Sequence, residues 1–168
     1  MSCPTIVCLF VKPPVPGRVK TRLARDLGDQ QACVIYIQLV EQILYQIQVS
    51  GLPLALFFDG DDQELLPLSW RSAAAVCYKQ VGNDLGERMS AAFRQLFGAG
   101  YQSVMLCGSD IVGIDAVYLH LAAEKLEQSG MVIAPAHDGG YCLIGFTPDR
   151  FSSLVFEKIS WSTEMVLQ

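Results

Sequence analysis

Thr5-Ile-Val-Cys-Leu-Phe-Val11, followed at once by Lys12-Pro-Pro-Val-Pro-Gly-Arg-Val-Lys-Thr-Arg22, decides the fold. The first stretch is an unbroken apolar run rich in β-formers. Without in–out alternation it reads as a strand buried on both faces, as parallel sheets require. Segments 54–58, 75–78, 103–107 and 131–134 read the same way. Helical periodicity fills the gaps. In 30–49, Tyr36, Val40, Ile43, Leu44 and Ile47 share one face, with Gln38, Gln42 and Gln46 opposite. In 85–97, Leu85, Met89, Phe93, Leu96 and Phe97 repeat the pattern, and Asp115 is a fit N-cap for a helix reaching about residue 128. Strands alternating with helices predict a three-layer α/β/α fold with right-handed crossovers. One break follows. Only Pro135–Gly140 separates 131–134 from the next strand, 141–146. A parallel crossover needs about a dozen residues, so 141–146 is expected to run antiparallel to a neighbour. The predicted sheet is therefore mixed and mostly parallel.

Working outward, the composition limits what this sheet serves. The chain has 168 residues, 51% hydrophobic and 17% charged, which excludes a disordered polymer and predicts one domain. Its net charge of −5 argues against nucleic-acid binding. Yet Lys12, Arg18, Lys20, Arg22 and Arg25 lie in a stretch without a single acid. The six cysteines are scattered with no C-x-x-C pair, and read as small buried hydrophobes of a reducing compartment. No leader is recognisable and no apolar run approaches the ~18 residues of a membrane span, so a soluble cytoplasmic protein is expected.

The loop after the first strand sits where ligands bind open α/β sheets, beyond the carboxyl ends of the strands. Three prolines stiffen it and Gly17 permits a sharp turn, so Lys12, Arg18, Lys20 and Arg22 are presented on a semi-rigid ribbon. Such cations suit phosphate oxygens. Neither a P-loop nor a G-x-G-x-x-G fingerprint is present. Asp110, in Gly108-Ser-Asp110, falls just past a strand end, either as a turn former or as a ligand for Mg²⁺ or Mn²⁺. Asp138-Gly-Gly-Tyr141 carries a hairpin signal and a carboxylate where glycines admit a ligand. Asn83 and Asp84 precede a helix that either could cap. His137 is a weak candidate metal ligand, and His120 reads as structural.

Five segments in this order resemble one family: FVKPPVPGRVKTRL (10–23), GNDLGERM (82–89), GSDI (108–111), DGGYCLIG (138–145) and WST (161–163). Together they look like the glycosyltransferase-A-like family called rSAM/selenodomain-associated transferase 1. Some of its members are described as arsenosugar-biosynthesis glycosyltransferases. The family is similar to 2-phospho-L-lactate guanylyltransferase and, more distantly, to molybdenum-cofactor guanylyltransferase. The resemblance implies the nucleotide-diphospho-sugar transferase fold. A nucleoside triphosphate or nucleotide sugar would lie over the first strand, with an unknown small acceptor as second substrate. It implies phosphate or nucleotide contacts from Lys12, Gly17, Arg18, Lys20, Thr21, Arg22, Asn83 and Asp84. Asp110, with Asp138, would hold Mg²⁺ or Mn²⁺. Gly139, Gly140, Tyr141, Trp161, Ser162 and Thr163 would face the acceptor. Lys20 and Asp138 would be catalytic, the first toward the leaving phosphate and the second as base toward the acceptor. The family's usual proline after GSDI is Val112 here. Family members continue past WST with a helix and a final strand, so this chain is expected to lack them. That motivates a contrasting expectation, a nucleotide-binding module with impaired turnover. An unfinished sheet edge would invite a homodimer.

Overall fold

A computed structural model describes residues 5–109, 111–136, 139–157 and 159. Strands β1 (Thr5–Val11), β2 (Leu54–Phe58), β3 (Val76–Lys79), β4 (Ser103–Gly108), β5 (Met131–Pro135) and β6 (Tyr141–Phe146) form one sheet in the order β3-β2-β1-β4-β6-β5. Pairings β1–β2, β1–β4 and β2–β3 are parallel, and β4–β6 and β5–β6 antiparallel. The mixed, mostly parallel sheet is thus as expected, including the direction of 141–146. The return strand β6 inserts between β4 and β5.

Helices α1 (Thr21–Leu27), α2 (Asp29–Ser50), α3 (Leu68–Ala73), α4 (Leu85–Gly98) and α5 (Ala116–Ser129) complete the layers. Strand alternation assigns the two faces. Val7, Leu9, Val11, Leu56, Met105 and Cys107 pack beneath α2, α3 and α5, with Tyr36, Val40, Ile43, Trp70 and Leu119. Ile6, Cys8, Phe10, Phe57, Val104 and Leu106 point the other way, onto Met89, Phe93 and Leu96 of α4 and onto Phe156 of a short 3-10 turn. By length and composition α2 is apolar enough to cross a membrane, but one face of it, with Tyr36, Val40, Ile43, Leu44 and Ile47, is buried in the core while Val34, Tyr45 and Val49 are exposed.

Two expectations need correction. Residues Thr21 and Arg22 are the first turn of α1, not part of an extended loop. This helix buries none of its residues, so it carries no apolar periodicity to reveal it. Helix α3 is also unforeseen, being six residues long with Trp70 as its one buried anchor. The cysteine reading is upheld for Cys8, Cys33 and Cys107, which are buried free thiols, while Cys77 and Cys142 are half-buried.

Candidate functional site

The carboxyl ends of β1, β2, β3 and β4 all open onto one edge of the sheet, because these strands are parallel. The start of β6 reaches that edge too, since β6 is antiparallel to β4. The loops that carry Lys12, Gly17, Arg18, Lys20, Asn83 and Asp84 leave the sheet at this edge, and Gly139 and Gly140 enter β6 from it.

The loop after β1 is held by its backbone. The Val15 amide donates to the Pro13 carbonyl (2.8 Å) and the Arg18 amide to the Val15 carbonyl (3.0 Å). Pro16 and Gly17 are the central residues of the second turn, and Gly17 has φ +80°, as a type II turn requires at its third residue. Buried Val19 pins the loop to the core. Two side chains of α2 fasten its start. The Cys33 thiol donates to the Pro14 carbonyl (3.3 Å). The Tyr36 hydroxyl accepts from the Lys12 amide (2.8 Å) and donates to the Lys12 carbonyl (3.2 Å). Tyr36 also lies 3.3 Å from Oγ of Ser109, which follows β4 and is buried. One phenol therefore fixes the exits of β1 and β4 together. The register brings Phe10 opposite Gly108, so Lys12 and Ser109 leave the sheet side by side.

Lys20 is the sole non-glycine at positive φ among the described residues, with φ 48° and ψ 43° immediately before α1. Left-handed backbone costs such a residue about 1–3 kcal/mol and clusters at ligand clamps. The conformation turns the chain from loop into helix at the centre of the cationic segment, with Arg18 before the bend and Arg22 after it. Lys12, Arg18, Thr21 and Arg22 are solvent-exposed.

Asn83 and Asp84 have local partners. The Asp84 carboxylate caps α4 by accepting from the Glu87 amide (2.8 Å). Glu87 reaches back to accept from the Asn83 amide (2.8 Å) and side chain (3.0 Å), one residue before the cap. Asp115 likewise caps α5 from the Tyr118 amide (2.7 Å). Gly139, Gly140 and Tyr141 lead into β6 through a turn closed by the Ala136 amide on the Gly140 carbonyl (2.8 Å). Register slips here: Ala134 faces Leu143 but Pro135 faces Tyr141, leaving Cys142 as a bulge residue. The Tyr141 ring packs on the α4 side, its hydroxyl 3.7 Å from the Met89 sulfur, and burial pushes its phenol well above the ordinary range. Val112 is exposed on the loop after β4, and His120 on α5. Asp110, His137, Asp138, Trp161, Ser162 and Thr163 lie outside the described residues.

Sequence reading missed Asp59, Gln80 and Arg88. Asp59 follows β2, and its amide donates to the Val11 carbonyl (3.0 Å). Its carboxylate is 2.9 Å from Arg88 Nη1 and 4.0 Å from Lys12 Nζ. Arg88 Nε donates to the Gly82 carbonyl (3.1 Å). The Gln80 side-chain amide bridges the Phe57 (3.0 Å) and Val11 (3.3 Å) carbonyls. These residues come from three separate elements, so no local spacing announced them. Chemically the edge combines a rigid cationic loop, an adjacent strand end leading to a carboxylate, and a glycine turn. That combination suits an anionic ligand with several oxygens.

The chain is similar to a crystal structure from Desulfovibrio desulfuricans G20 whose protein is described as a "putative nucleotide-diphospho-sugar transferase". The two share 36% identity and a TM-score of 0.88, over 99% of this chain and 72% of that one. The likeness bears out the nucleotide-diphospho-sugar transferase fold. No curated protein matches the chain. A family model matches residues 43–163, and the chain accordingly belongs to the family described as "Uncharacterized protein conserved in bacteria (DUF2064)".

Proposed function

We propose that the protein is a cytoplasmic transferase acting on a nucleotide-activated donor, most simply a nucleotide sugar. The observation that carries this reading is the mounting of the loop from Lys12 to Lys20. Tyr36, Cys33 and Val19 fix a cation-rich turn beside Ser109, at the edge where α/β sheets take ligands. The similar transferase-described structure supports the same class.

In this reading Lys12, Arg18, Lys20 and Arg22 receive the donor's phosphates, and the Lys20 bend orients them. Asp110, immediately after the anchored Ser109, is a hard oxygen donor suited to Mg²⁺ or Mn²⁺, with Asp138 as its companion. Among the described residues no three His, Cys, Asp or Glu side chains form a metal cluster. One or two carboxylates plus phosphates are the usual set for Mg²⁺. The ion would supply charge neutralisation at the departing phosphate. The chain's own cations do the same from fixed positions, which is electrostatic preorganisation. In glycosyl transfer an acceptor hydroxyl attacks the sugar carbon, the bond to the diphosphate breaks, and the nucleoside diphosphate leaves. Asp138 would take the acceptor's proton, with residues 139–141 and 161–163 on the acceptor side.

A thermal-shift screen of nucleotide sugars and nucleoside triphosphates, with and without Mn²⁺, tests the reading. A ligand at about 100 times its Kd adds roughly 2.7 kcal/mol of stability. Asp110→Ala should lose the metal-dependent part of that shift. An unchanged metal-dependent shift in this variant would sink the assignment. Release of pyrophosphate instead of a nucleoside diphosphate would move the reaction to nucleotidyl transfer, and binding without turnover would leave a nucleotide-binding module.

A further inference from the structure

A carboxylate stands where the donor's phosphates are proposed to arrive. Asp59 is fixed at the end of β2 by the hydrogen bond its amide donates to the Val11 carbonyl, directly beside Lys12. Left bare, it would repel a polyphosphate and hold the Lys12 ammonium for itself. Its two cationic neighbours differ in kind. Lys12 Nζ is 4.0 Å from Oδ2 on a flexible stem, and its side chain is 60% exposed. Arg88 Nη1 is 2.9 Å from Oδ1, and the Arg88 side chain is 29% exposed. Its Nε is tied separately to the Gly82 carbonyl. The guanidinium is thus held at two points, as its planar fork allows, while the ammonium is loosely held and exchangeable. The Gly82 turn packs closely against this helix start and admits no side chain: a Cβ there would sit 2.7 Å from the Arg88 amide nitrogen and from Glu87 Cβ.

We infer that Arg88 is a positioning residue for polyphosphate: by neutralising Asp59 it leaves Lys12 free to turn to the donor's phosphates. The inference rests on the donor reading above. It makes Asp59 an antagonist of binding and Arg88 its permanent counter-ion, although neither needs to touch the ligand.

Opposite signs are the signature. Calorimetric titration with inorganic tripolyphosphate and Mg²⁺ at low salt avoids any dependence on the base. Asp59→Asn should tighten binding about two- to fivefold and Arg88→Met weaken it by a similar factor, the scale of a partly exposed ion pair. The double variant should return toward wild type. Arg88→Lys should recover most of the loss seen with Arg88→Met, although it cannot reproduce the Gly82 bond in the same geometry. A purely structural role would instead lower unliganded melting temperature and affinity together in both single variants. If Arg88→Met does not fold, Asp59→Asn and Arg88→Lys still decide. Binding by wild type with no change, or a loss, in Asp59→Asn overturns the inference alone. No binding by wild type overturns the inference and the donor reading together.

Discussion

Strands β1 and β5 lie in one sheet, yet all seven residues of β1 are buried while only Ala134 is buried in β5. The difference follows from cover. Over β1 both faces are roofed, by α2 on one side and by α4 on the other. Over β5, among the described residues, only the α5 side is packed, where Val132 and Ala134 point, and Met131 and Ile133 reach solvent. The parallel half therefore supplies the core that holds the cationic edge in place. The hairpin half mainly delivers Gly139 and Gly140, at the start of β6, to that edge.

The strongest way to break this contrast is to cut into each half. Leu9→Ala should cost about 2–5 kcal/mol in denaturant unfolding, as a fully buried leucine does, whereas Met131→Ala should cost less than about 1 kcal/mol. Comparable losses would mean that β5 is covered in solution. The seam between the halves comes next. A Cβ on Gly145 would lie 2.9 Å from Val132 Cγ1 and 3.0 Å from the Val104 carbonyl oxygen. Gly145→Ala should therefore cost about 1–3 kcal/mol through overpacking, and hydrogen exchange should show β5 losing protection before β1. The two helix caps sharpen the contrast at smaller scale. Asp84→Ala and Asp115→Ala should each cost about 1 kcal/mol. If Asp84 also serves the nucleotide, only its variant should weaken polyphosphate binding in titration.

The smallest effect at neutral pH is the Cys107 thiol. Burial pushes it from its ordinary 9.0 up to about 12. In the unfolded chain the thiol ionises near 9, so between about 9 and 12 the unfolded state has lost a proton that the native state keeps. Its stability contribution is complete below pH 9 and falls as pH rises toward 12. Cys107→Ala should flatten that fall in unfolding curves recorded from pH 8 to 11, and an unaltered slope would assign it to other groups.

Most of the sheet was legible because burial on both faces leaves uninterrupted apolar runs; segments 54–58 and 141–146 emerge with their boundaries intact. Helices with a core face were equally plain, as in α2 and α4. Helix α1 was not, because it buries nothing. At the candidate site, the basic segment was visible as a charge excess, and Asp115 as a cap. The grip of Tyr36 on Lys12 and Ser109 spans partners 24 and 73 residues away. Asp59 and Arg88 meet only because β2 ends and α4 begins at one edge. Such contacts exist only after the sheet has assembled, so local pattern carries no trace of them.

The insertion of β6 between β4 and β5 has a consequence for biogenesis. Until residue 146 has left the ribosome, the 104–107 stretch of β4 has no partner on that side. A nascent or proteolysed chain ending before residue 141 would display an apolar strand edge, the template on which aggregates grow. The last strand of the hairpin thus acts as a seal, and premature stops upstream of it should be more harmful to the cell than stops just beyond it.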